Sequence, residues 1–594
     1  MPFGALPCEG GILFRLWAPV AQRVDLVLPD IEQVLPLPAS RDGWFEKKIP
    51  DIGAGCRYQY RIDGKQSVPD PASRYQPLDV HGPSEIVDPN DFEWTDEEWA
   101  GRPWHEAVIY ELHVGTFTPE GSFAAAALEL SRLAQLGITA IELMPVADFA
   151  GARNWGYDGV LPFAPDSRYG HPDDLKRLIC TAHKLGLMVF MDVVYNHFGP
   201  EGNYIALYAP QFFGDLDTSW GKSLNYARTE TGSAREFFIH NALYWLTEFN
   251  MDGLRFDAVH AIDDRGEPPF LVDMAKTIRE RISAPRHVHL VLENDNNEAR
   301  LLKRAAAAAA SLYTAQWNDD FHHAMHVILT GETEGYYRDY ADAPAEKLGR
   351  SLTQGFIEQG DWSPYRGRNR GEPSADLPPT AFVNFLQNHD QIGNRALGER
   401  LISLAPLLSL SVAATILLLA PAPPLLFMGE EIGARQPFLF FCDFKGDLGV
   451  AVREGRRREF ARFRAFSDTG FADRIPDPND PGSFERSKLR ASSADSDLAA
   501  LYRRLLELRH REIIPRLVGI RGANAGYHVR DGLLSAWWRM GDGSDLMLRV
   551  NLTTAAIQAE PMPGEWRVFY ATDTGAAELL RPWSVVWALR GGIS

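Results

Sequence analysis

Eight short apolar segments, each followed by sequence of helical character, constrain the fold of this chain more than any other feature. They lie within residues 107–431 and read AVIYELHV, TAIELMP, LMVFMDVV, DGLRFD, VHLVLE, YTAQWN, AFVNFLQ and PLLFMGEE. Nearly continuous apolar runs of this length are typical of parallel strands buried on both faces. The pattern predicts a central (β/α)8 barrel. An open doubly wound sheet would need a glycine-rich phosphate turn after an early strand, and the sequence has none.

Two stretches within this region carry more specific predictions. The sequence after the fifth segment predicts a helix over 297–310 that includes the alanine run Ala305–Ala310, since alanine is the best helix former. Residues 401–428 are the most apolar stretch of the chain. Their prolines divide them into a buried helix and a short strand, which we favour over a membrane span.

The sequence on either side of the barrel is typical of all-β domains. Short strand-like runs punctuated by Gly, Pro and Asp predict an N-terminal β-sandwich and a small C-terminal β-domain. The 594 residues are therefore divided into three predicted domains, at 1–95, 96–519 and 520–594. The barrel domain carries insertions at 195–232, 361–379 and 432–500. Because these insertions follow strands, we expect them on the C-terminal face, where such barrels have their active sites.

Charge and cysteine content exclude several classes of protein. The formal net charge is −19, which disfavours nucleic acid and anionic membranes as partners. The cysteines Cys8, Cys56, Cys180 and Cys442 lie far apart, with neither metal-ligand spacing nor a disulfide framework. The N-terminus lacks the basic start and apolar run of a signal peptide. We therefore expect a cytoplasmic protein, and we predict no cofactor and no metal ion.

Titratable side chains follow four of the predicted strands, and a closed barrel would bring these strand ends together on one rim. The third strand ends with Asp192, Asn196 and His197, and the fifth with Glu293. The fourth carries Arg255 and Asp257, with His260 in the loop beyond it, and the seventh leads into His389 and Asp390. By contrast, Asp295, Glu298 and Asp320 are expected to be helix caps or loop ion pairs.

The carboxylates of this set suit one type of chemistry. Arg255 and Asp257 alternate along a strand and point the same way, so the guanidinium would keep Asp257 ionised as a nucleophile. Glu293 follows an apolar strand, so partial burial would raise its pKa and make it a general acid. Two carboxyl groups with separated pKa values are what glycoside hydrolysis requires.

The segments DVVYNH, GLRFDAVH, VLE and QNHDQ, in this order and on these strands, resemble the four hallmark segments of the α-amylase family of glycoside hydrolases. The resemblance implies that Asp257 is the nucleophile, Glu293 the general acid/base and Asp390 the residue that stabilises the distorted sugar. It implies a retaining double displacement. It also implies substrate-binding roles for Asp192, for Arg255 through its orientation of Asp257, for His197 and His389 at the cleavage site, for Tyr157 as a stacking aromatic, and for His260 beyond the scissile bond.

Further resemblances narrow the expected substrate. The N-terminal β-domain resembles the glycogen-binding type of module found in branching and debranching enzymes. The segments LENDNNEARLL, QWNDDFHHAMHVILTGETEGYY and NHDQIGNRALGERL are similar to family members that cleave the α-1,4 bond beside a terminal trehalose, releasing trehalose and a maltooligosaccharide. The expected substrate is thus a trehalose-ended maltooligosaccharide or a related α-glucan, and we hypothesise that the insertion residues 361–370 help to select the trehalose end. A branching or debranching enzyme, and a glucan-binding protein without catalysis, are the alternatives.

Overall fold

The computed structural model describes residues 2–591 apart from 219–220, 228–231, 283, 306–308, 461–473, 491–495, 563 and 574–578. At its centre eight parallel strands close into a barrel, which confirms the predicted fold. In chain order the strands are Ile109–Leu112, Ala140–Leu143, Met188–Val193, Gly253–Phe256, His289–Leu292, Ala315–Trp317, Phe382–Phe385 and Pro424–Phe427. Each of the eight apolar segments contributes one strand. The barrel closes where the last strand pairs with the first, with Leu425 opposite Ile109.

Apolar side chains fill the lower part of the barrel, and polar ones occupy its upper end. Met188, Phe190, Val291, Trp317 and Phe385 belong to one buried cluster inside the ring of strands. On the first five strands the next inward positions towards the C-terminal ends are charged, at Glu111, Glu142, Asp192, Arg255 and Glu293. This division follows from the alternation of side chains along each strand. It leaves a packed floor beneath a rim of titratable groups.

Helices flank the barrel, and their ends carry the expected signals. Ser122 caps the first long helix through the Ala125 amide, and Gly137 ends that helix with a φ of +105°. The next helix begins at Pro172, and His171 and Asp174 form a capping box. The main helices of the barrel are Phe123–Leu136, Pro172–Lys184, Ala234–Thr247, Phe270–Arg281, Asp319–Thr330, Pro344–Gln354, Leu407–Leu419 and Ser496–Leu508.

The helix predicted over 297–310 is not formed in the described part of this stretch. Only the 3-10 turn Ala299–Leu302 is helical, and an isolated antiparallel bridge pairs Arg304 with Ala310. The Arg304 guanidinium donates to the carbonyl oxygens of Leu302, at 2.7 Å, and Thr314, at 2.8 Å, so the chain is folded back on itself. Tertiary contacts thus override the helix propensity of the alanine run. Residues 306–308 lie outside the described residues.

The N-terminal sandwich consists of two antiparallel sheets. One contains Gly4–Cys8, Gly11–Trp17 and Trp44–Ile49, and the other contains Gln33–Leu37, Val24–Leu28, Arg57–Ile62, Gln66–Val68 and Ser84–Glu85. The sandwich packs on the helix Ala234–Thr247 of the barrel. The Phe3 ring meets Phe237 at 5.1 Å, and the Arg74 guanidinium lies 4.7 Å from the ring centres of both Phe163 and Tyr244.

Beyond the barrel the chain forms the predicted C-terminal β-domain. Its main sheet is antiparallel, with the strands Ala525–Arg530, Leu533–Arg539, Asp545–Asn551, Ser584–Arg590 and Arg567–Ala571 in that spatial order. The apolar stretch 401–428 contains the buried helix Leu407–Leu419 and the eighth barrel strand, as predicted. Among the described residues, no helix combines the length and the apolar character needed to cross a membrane.

The insertions add small elements of their own. In the described residues, 195–232 contains the hairpin Phe213–Thr218 with Gly221–Leu224, and 361–379 contains the hairpin Asp361–Ser363 with Arg368–Arg370. The described parts of 432–500 include the helices Gly446–Phe460 and Pro481–Ser487. Arg370 anchors the second hairpin, because it contacts Asp295 in the loop after the fifth strand and Asp320 in the first turn of the helix Asp319–Thr330.

Candidate active site

Arg255 is the centre of the rim of titratable groups. It lies on the fourth strand, is fully buried, and its guanidinium carbon lies 4.1 Å from the ring centre of Trp317. Nη1 donates to Asp257 Oδ1 at 2.9 Å and Nη2 donates to Glu293 Oε2 at 2.8 Å. Nη1 also reaches both carboxylate oxygens of Asp192, at 2.8 and 2.9 Å. One cation therefore joins three carboxylates from three neighbouring strands.

The backbone beyond the fourth strand holds the first two of these carboxylates in place. The Asp257 amide continues the strand pairing by donating to the Val193 carbonyl at 3.0 Å. Ala258 then adopts a φ of +40°, which directs its amide to Glu293 Oε2 at 2.8 Å. A non-glycine residue in this left-handed region is uncommon and is often found at functional sites. Asn196 donates from Nδ2 to the other oxygen of Asp257 at 3.1 Å.

Beside Arg255, Asp192, Tyr157 and His389 form a hydrogen-bonded group. Asp192 is almost completely buried and accepts the Tyr157 hydroxyl at 2.6 Å. The same hydroxyl lies 2.8 Å from His389 Nε2, and the two rings stack with centres 5.1 Å apart. Nδ1 of His389 is hydrogen-bonded to Glu111 of the first strand. Asp192 thus accepts hydrogen bonds from both Arg255 and Tyr157 and fixes the positions of these two side chains.

The remaining predicted site residues surround this group. Asp390 Oδ1 lies 3.4 Å from His389 Nε2 and accepts Asn394 Nδ2 at 3.2 Å. His197 is engaged at both ring nitrogens, by Asn196 Oδ1 at 2.5 Å and the Tyr157 carbonyl at 2.9 Å. His260 accepts the Asp295 amide on Nδ1 at 3.2 Å, which leaves the N–H on Nε2. The structure brings all nine predicted residues to one rim.

The pKa values of Asp257 and Glu293 are ordered opposite to the prediction. Burial and the neighbouring Glu293 raise the pKa of Asp257 above its ordinary value. Burial opposes any fall in the pKa of Glu293, but the charge of Arg255 and the hydrogen bond from the Ala258 amide together lower it. The predicted rise for Glu293 is therefore wrong in this arrangement. The sequence places Arg255 two residues from Asp257, but it does not reveal that Nη2 reaches Glu293 on the next strand.

Two histidines and a buried acid have shifted pKa values with clear causes. Burial works against a charged His389, but Asp390 and Glu111 outweigh it and raise the pKa to about 9, so the ring is an imidazolium at neutral pH. Burial lowers the pKa of His197 to about 4, so that ring is neutral. Burial raises the pKa of Asp192 to about 6 against the attraction of Arg255.

Two buried acids of this site were missed by the sequence analysis. Glu111 holds His389, and its carboxylate accepts the backbone amide of His389 at 3.1 Å. Glu142 on the second strand is 1% exposed, and neither of its side-chain oxygens has a hydrogen-bond partner among the described residues. A signal was present, because each Glu interrupts an otherwise apolar strand, in AVIYELHV and TAIELMP. A charge in such a run marks an inward position near the rim.

The acids that were predicted to have structural roles have structural partners. Asp320 is fully paired, with Arg370 at 2.8 Å and the Ile357 amide at 2.7 Å. Asp295 accepts the guanidinium groups of Arg366 and Arg370. Glu298 accepts Asn294 Nδ2 at 2.8 Å. Asp295 is the exception in one respect, since its amide also fixes His260 at the rim.

The arrangement is suited to acid–base and nucleophilic chemistry on a neutral substrate. Asp257 and Glu293 face each other across one guanidinium and are partly accessible, with 12% and 17% of their side chains exposed. Such a coupled pair holds and exchanges a single proton over a range of pH. The imidazolium of His389 and the tyrosine beside it add hydrogen-bond donors, which suit the hydroxyl groups of a sugar.

Three family profiles match the chain. Residues 2–89 match carbohydrate-binding module 48, described as the isoamylase N-terminal domain, and residues 89–209 match the α-amylase catalytic domain. Residues 522–587 match a domain of unknown function, DUF3459. The first two agree with the resemblances seen in the N-terminal strands and in the third barrel strand.

Whole-chain relatives extend the likeness. The chain is 41% identical over 510 residues to a malto-oligosyltrehalose trehalohydrolase from Saccharolobus solfataricus, covering 86% of this chain and 87% of the relative. It is 42% identical over 518 residues to the enzyme of that name from Deinococcus radiodurans, covering 86% and 83%. A crystal structure from Salmonella typhimurium, assigned to the α-amylases, has a TM-score of 0.94 at 45% identity and 99% coverage of both chains. A pullulanase from Paenibacillus barengoltzii shares the fold, with a TM-score of 0.71 at 19% identity, covering 99% of this chain and 95% of the pullulanase.

Proposed function

The chain belongs to the malto-oligosyltrehalose trehalohydrolases, glycoside hydrolases of the α-amylase family, and from this membership we propose its reaction. It hydrolyses the α-1,4-glucosidic bond next to the terminal trehalose of a maltooligosyl trehalose. The products are free trehalose and a shortened maltooligosaccharide, so the enzyme serves trehalose formation. We also propose that this reaction takes place in the cytoplasm, since the four cysteines lie far apart in the sequence without a disulfide framework.

The single observation that carries the proposal is the position of Asp257 and Glu293 on one guanidinium. Arg255 holds one oxygen of each, so the two carboxyl groups flank the same short gap. A retaining glycosidase needs its carboxyl groups about 5–5.5 Å apart, whereas an inverting enzyme leaves room for a water molecule between them. A shared guanidinium favours the closer spacing. We therefore propose the retaining mechanism.

In the first step Asp257 attacks the anomeric carbon while Glu293 protonates the glycosidic oxygen of the departing trehalose. In the second step Glu293 removes a proton from water, and that water cleaves the glycosyl ester of Asp257. Asp390 hydrogen-bonds the distorted sugar, and the His389 imidazolium beside it donates to a sugar hydroxyl. Tyr157 stacks against the sugar ring, and His260 contributes a hydrogen bond beyond the scissile bond. His197 bonds the sugar on the other side by exchanging one of its two bonds, to Asn196 or to the Tyr157 carbonyl.

The first step requires the proton to be on Glu293, although Arg255 favours its ionised form. The two carboxyl groups titrate as a coupled pair, so one proton is available to either. A glucosyl unit in the cleft would exclude water from Glu293 and raise its pKa, while the developing positive charge at the anomeric carbon favours an ionised Asp257. Substrate binding thus transfers the proton to the residue that needs it.

We propose that the hairpin Asp361–Arg370 contributes to recognition of the trehalose end. Trp362 and Tyr365 are 62% and 51% exposed on this hairpin. Arg366 is hydrogen-bonded to Asp295, and the Asp295 amide donates to His260, so the hairpin is connected to the side of the site beyond the scissile bond. Polar groups placed there would have no hydrogen-bond partner when a maltose end binds, and this disfavours the maltose end.

One specific observation supports a second candidate function, that of a branching or debranching enzyme. The N-terminal module matches a family described from isoamylase, and the chain is 34% identical to a glucan branching enzyme from Corynebacterium jeikeium over 283 residues. That likeness covers 43% of this chain and 39% of the branching enzyme. The trehalohydrolase relatives cover about twice as much of the chain, so this alternative is weaker.

Product analysis tests the proposal. The purified protein is incubated separately with maltopentaosyl trehalose, maltopentaose and amylopectin, and the products are separated. We expect free trehalose from the first substrate and slow reaction with the other two. Changed α-1,6 branching of amylopectin without trehalose release would favour the second candidate. Asp257→Asn is the control, since it should abolish trehalose release, and equal inactivity of wild type and variant with retained glucan binding would instead identify a non-catalytic binding protein.

A further inference from the structure

A second cavity lies at the opposite end of the barrel from the catalytic rim. Its volume is about 500 Å³, and its walls come from the segments that lead into the first, fifth, sixth and seventh strands and from the residues Leu517–Ile520. The described residues that line it include Arg279, Arg286 and Arg304 together with His105 and His289. In a chain with a net charge of −19, this cavity is a local concentration of positive charge.

The two arginines on one side of the cavity converge on the same residue. Arg279 Nη2 donates to the Thr314 hydroxyl at 3.3 Å, and Arg304 Nη2 donates to the Thr314 carbonyl at 2.8 Å. The two guanidinium groups are close enough that Arg279, together with burial, lowers the pKa of Arg304 to about 10. Like charges held together in a partly buried place repel each other unless an anion is shared between them.

Backbone carbonyls, and not carboxylates, are the protein partners of these cations. Arg279 also donates to the Leu312 carbonyl at 2.8 Å, and Arg286 donates to the Met251 carbonyl at 2.7 Å. Among the described residues, no carboxylate oxygen lies within 4.0 Å of a guanidinium nitrogen of these three arginines. The carboxylates of Asp252 and Asp96 act on Arg286 from a greater distance, and both are already paired with His183.

From this geometry we propose that the cavity binds a phosphate dianion, either as inorganic phosphate or as the phosphate group of a small ester. The planar forks of Arg279 and Arg304 match the oxygens of a tetrahedral anion, and several of their N–H groups are not used by the described residues. The ring of Trp104 and the side chain of Leu517 form an apolar wall that suits the carbon skeleton of an ester. The site is separate from the carboxylate rim and does not depend on the proposed reaction.

Calorimetric titration of the full-length protein tests this proposal. Inorganic phosphate and glucose 6-phosphate are titrated at constant ionic strength in a buffer free of other multivalent anions, with glucose as the uncharged control. We expect saturable binding of at least one phosphate probe and none of glucose. Tighter binding of glucose 6-phosphate would identify an ester as the occupant, and equal or tighter binding of inorganic phosphate would identify free phosphate. The absence of saturable binding of either probe would overturn the proposal.

Variants locate the binding. Arg279→Lys and Arg304→Lys keep the charge but lose the fork, so each should weaken binding by at least about tenfold. Arg281→Lys is the matched control, since Arg281 is on the same helix and exposed to solvent. Phosphate should also raise the Tm of the wild type more than that of the two cavity variants. Equal affinity in Arg304→Lys and Arg281→Lys would show that phosphate binds elsewhere.

Discussion

Among single residues, Glu111 sets the charge state of the catalytic rim without reaching the cleft. It is buried and bonded to His389 at both the ring and the backbone amide. Together with Asp390 it raises the pKa of that histidine to about 9, although burial favours the neutral ring. The ring is therefore an imidazolium at neutral pH, and its Nε2 lies 2.8 Å from the Tyr157 hydroxyl. Glu111 is on the first strand of the barrel, three strands away from the strand that leads to Asp257.

We predict that Glu111→Gln lowers the pKa of His389 and moves the alkaline limb of the kcat/KM profile to lower pH. The pKa of His389 is about 9 in the folded protein and near 6.5 in the unfolded chain. The His389–Glu111 pair therefore stabilises the fold fully below pH 6.5 and loses this effect as pH rises through about 9. Breaking the buried pair should cost about 3–5 kcal/mol at pH 6 and less at pH 9. Tm and activity measured from pH 5 to 9 check both effects. Glu129→Gln, at an exposed ion pair, is the control, and a constant difference in Tm across pH would contradict the assignment.

Glu142 links stability to pH in the same direction, through a carboxyl group whose pKa is raised. Burial raises its pKa well above the ordinary value, and Glu111 and Asp192 add to the rise. In the folded protein Glu142 therefore keeps a proton that it loses above about pH 4.5 in the unfolded chain. Because of this difference, the free energy of unfolding falls as pH rises, by up to about 1.4 kcal/mol per pH unit. We predict that Glu142→Gln, which has no charge to lose, removes this slope and gains Tm relative to wild type between pH 5 and 7. Parallel curves of Tm against pH for the two proteins would rule this out.

At the scale of elements, the hairpin Asp361–Arg370 offers a direct test of substrate selection. We predict that Arg366→Ala lowers the preference for a trehalose end over a maltose end by roughly 10- to 100-fold, since Asp295 and His260 lose the support of the guanidinium. The measurement is the ratio of kcat/KM on maltopentaosyl trehalose and maltoheptaose. Arg368→Ala is the matched control, because Arg368 is exposed on the same hairpin and its side chain donates a hydrogen bond to Asn296 and not to Asp295. If both variants keep the wild-type ratio, the hairpin does not select the substrate.

An element could be predicted from the sequence when the residues of its own segment determine it, and not when distant contacts do. The eight barrel strands were predictable because each is a short, mainly apolar run, as is typical of strands buried on both faces. The helix over 297–310 was wrongly predicted because alanine propensity is weak beside the contacts of Arg304. Similarly, the convergence of Asp257, Glu293 and Asp390 follows from strand order alone. The reach of Arg255 to Glu293 depends on the stagger between two strands, which no single sequence displays.

At the scale of the whole molecule, the N-terminal sandwich is a packing partner of the barrel. Trp17 lies against Gly232, where any added Cβ would come within 2.3 Å of the indole, and Phe3 and Arg74 cover the helix Ala234–Thr247. In the described part of the sandwich, the large apolar side chains that face solvent are aliphatic: Val20, Ile31, Val34 and Leu78. The contacts of Trp17, Phe3 and Arg74 thus join the module to the catalytic domain.

We predict that Arg74→Ala destabilises the enzyme by about 2–3 kcal/mol and leaves substrate preference unchanged, because the guanidinium packs against two adjacent rings of the barrel domain. Tm is measured alongside kcat/KM on short and long maltooligosyl trehaloses. Arg41→Ala, at an exposed position of the same sandwich, should leave both quantities unchanged. A selective loss on long substrates at unaltered Tm would instead indicate a glucan-binding role for the module.

The pairing of Leu425 with Ile109 that closes the barrel also has a consequence during synthesis on the ribosome. The first strand emerges early, yet its partner is made roughly 300 residues later, so one edge of the growing sheet stays unpaired for most of translation. The nascent chain thus presents both a bare strand edge and the apolar interior of an open half-barrel. Protection of that intermediate by chaperones, or by slow passage through codons near its end, would decide how much active enzyme a cell obtains from each message.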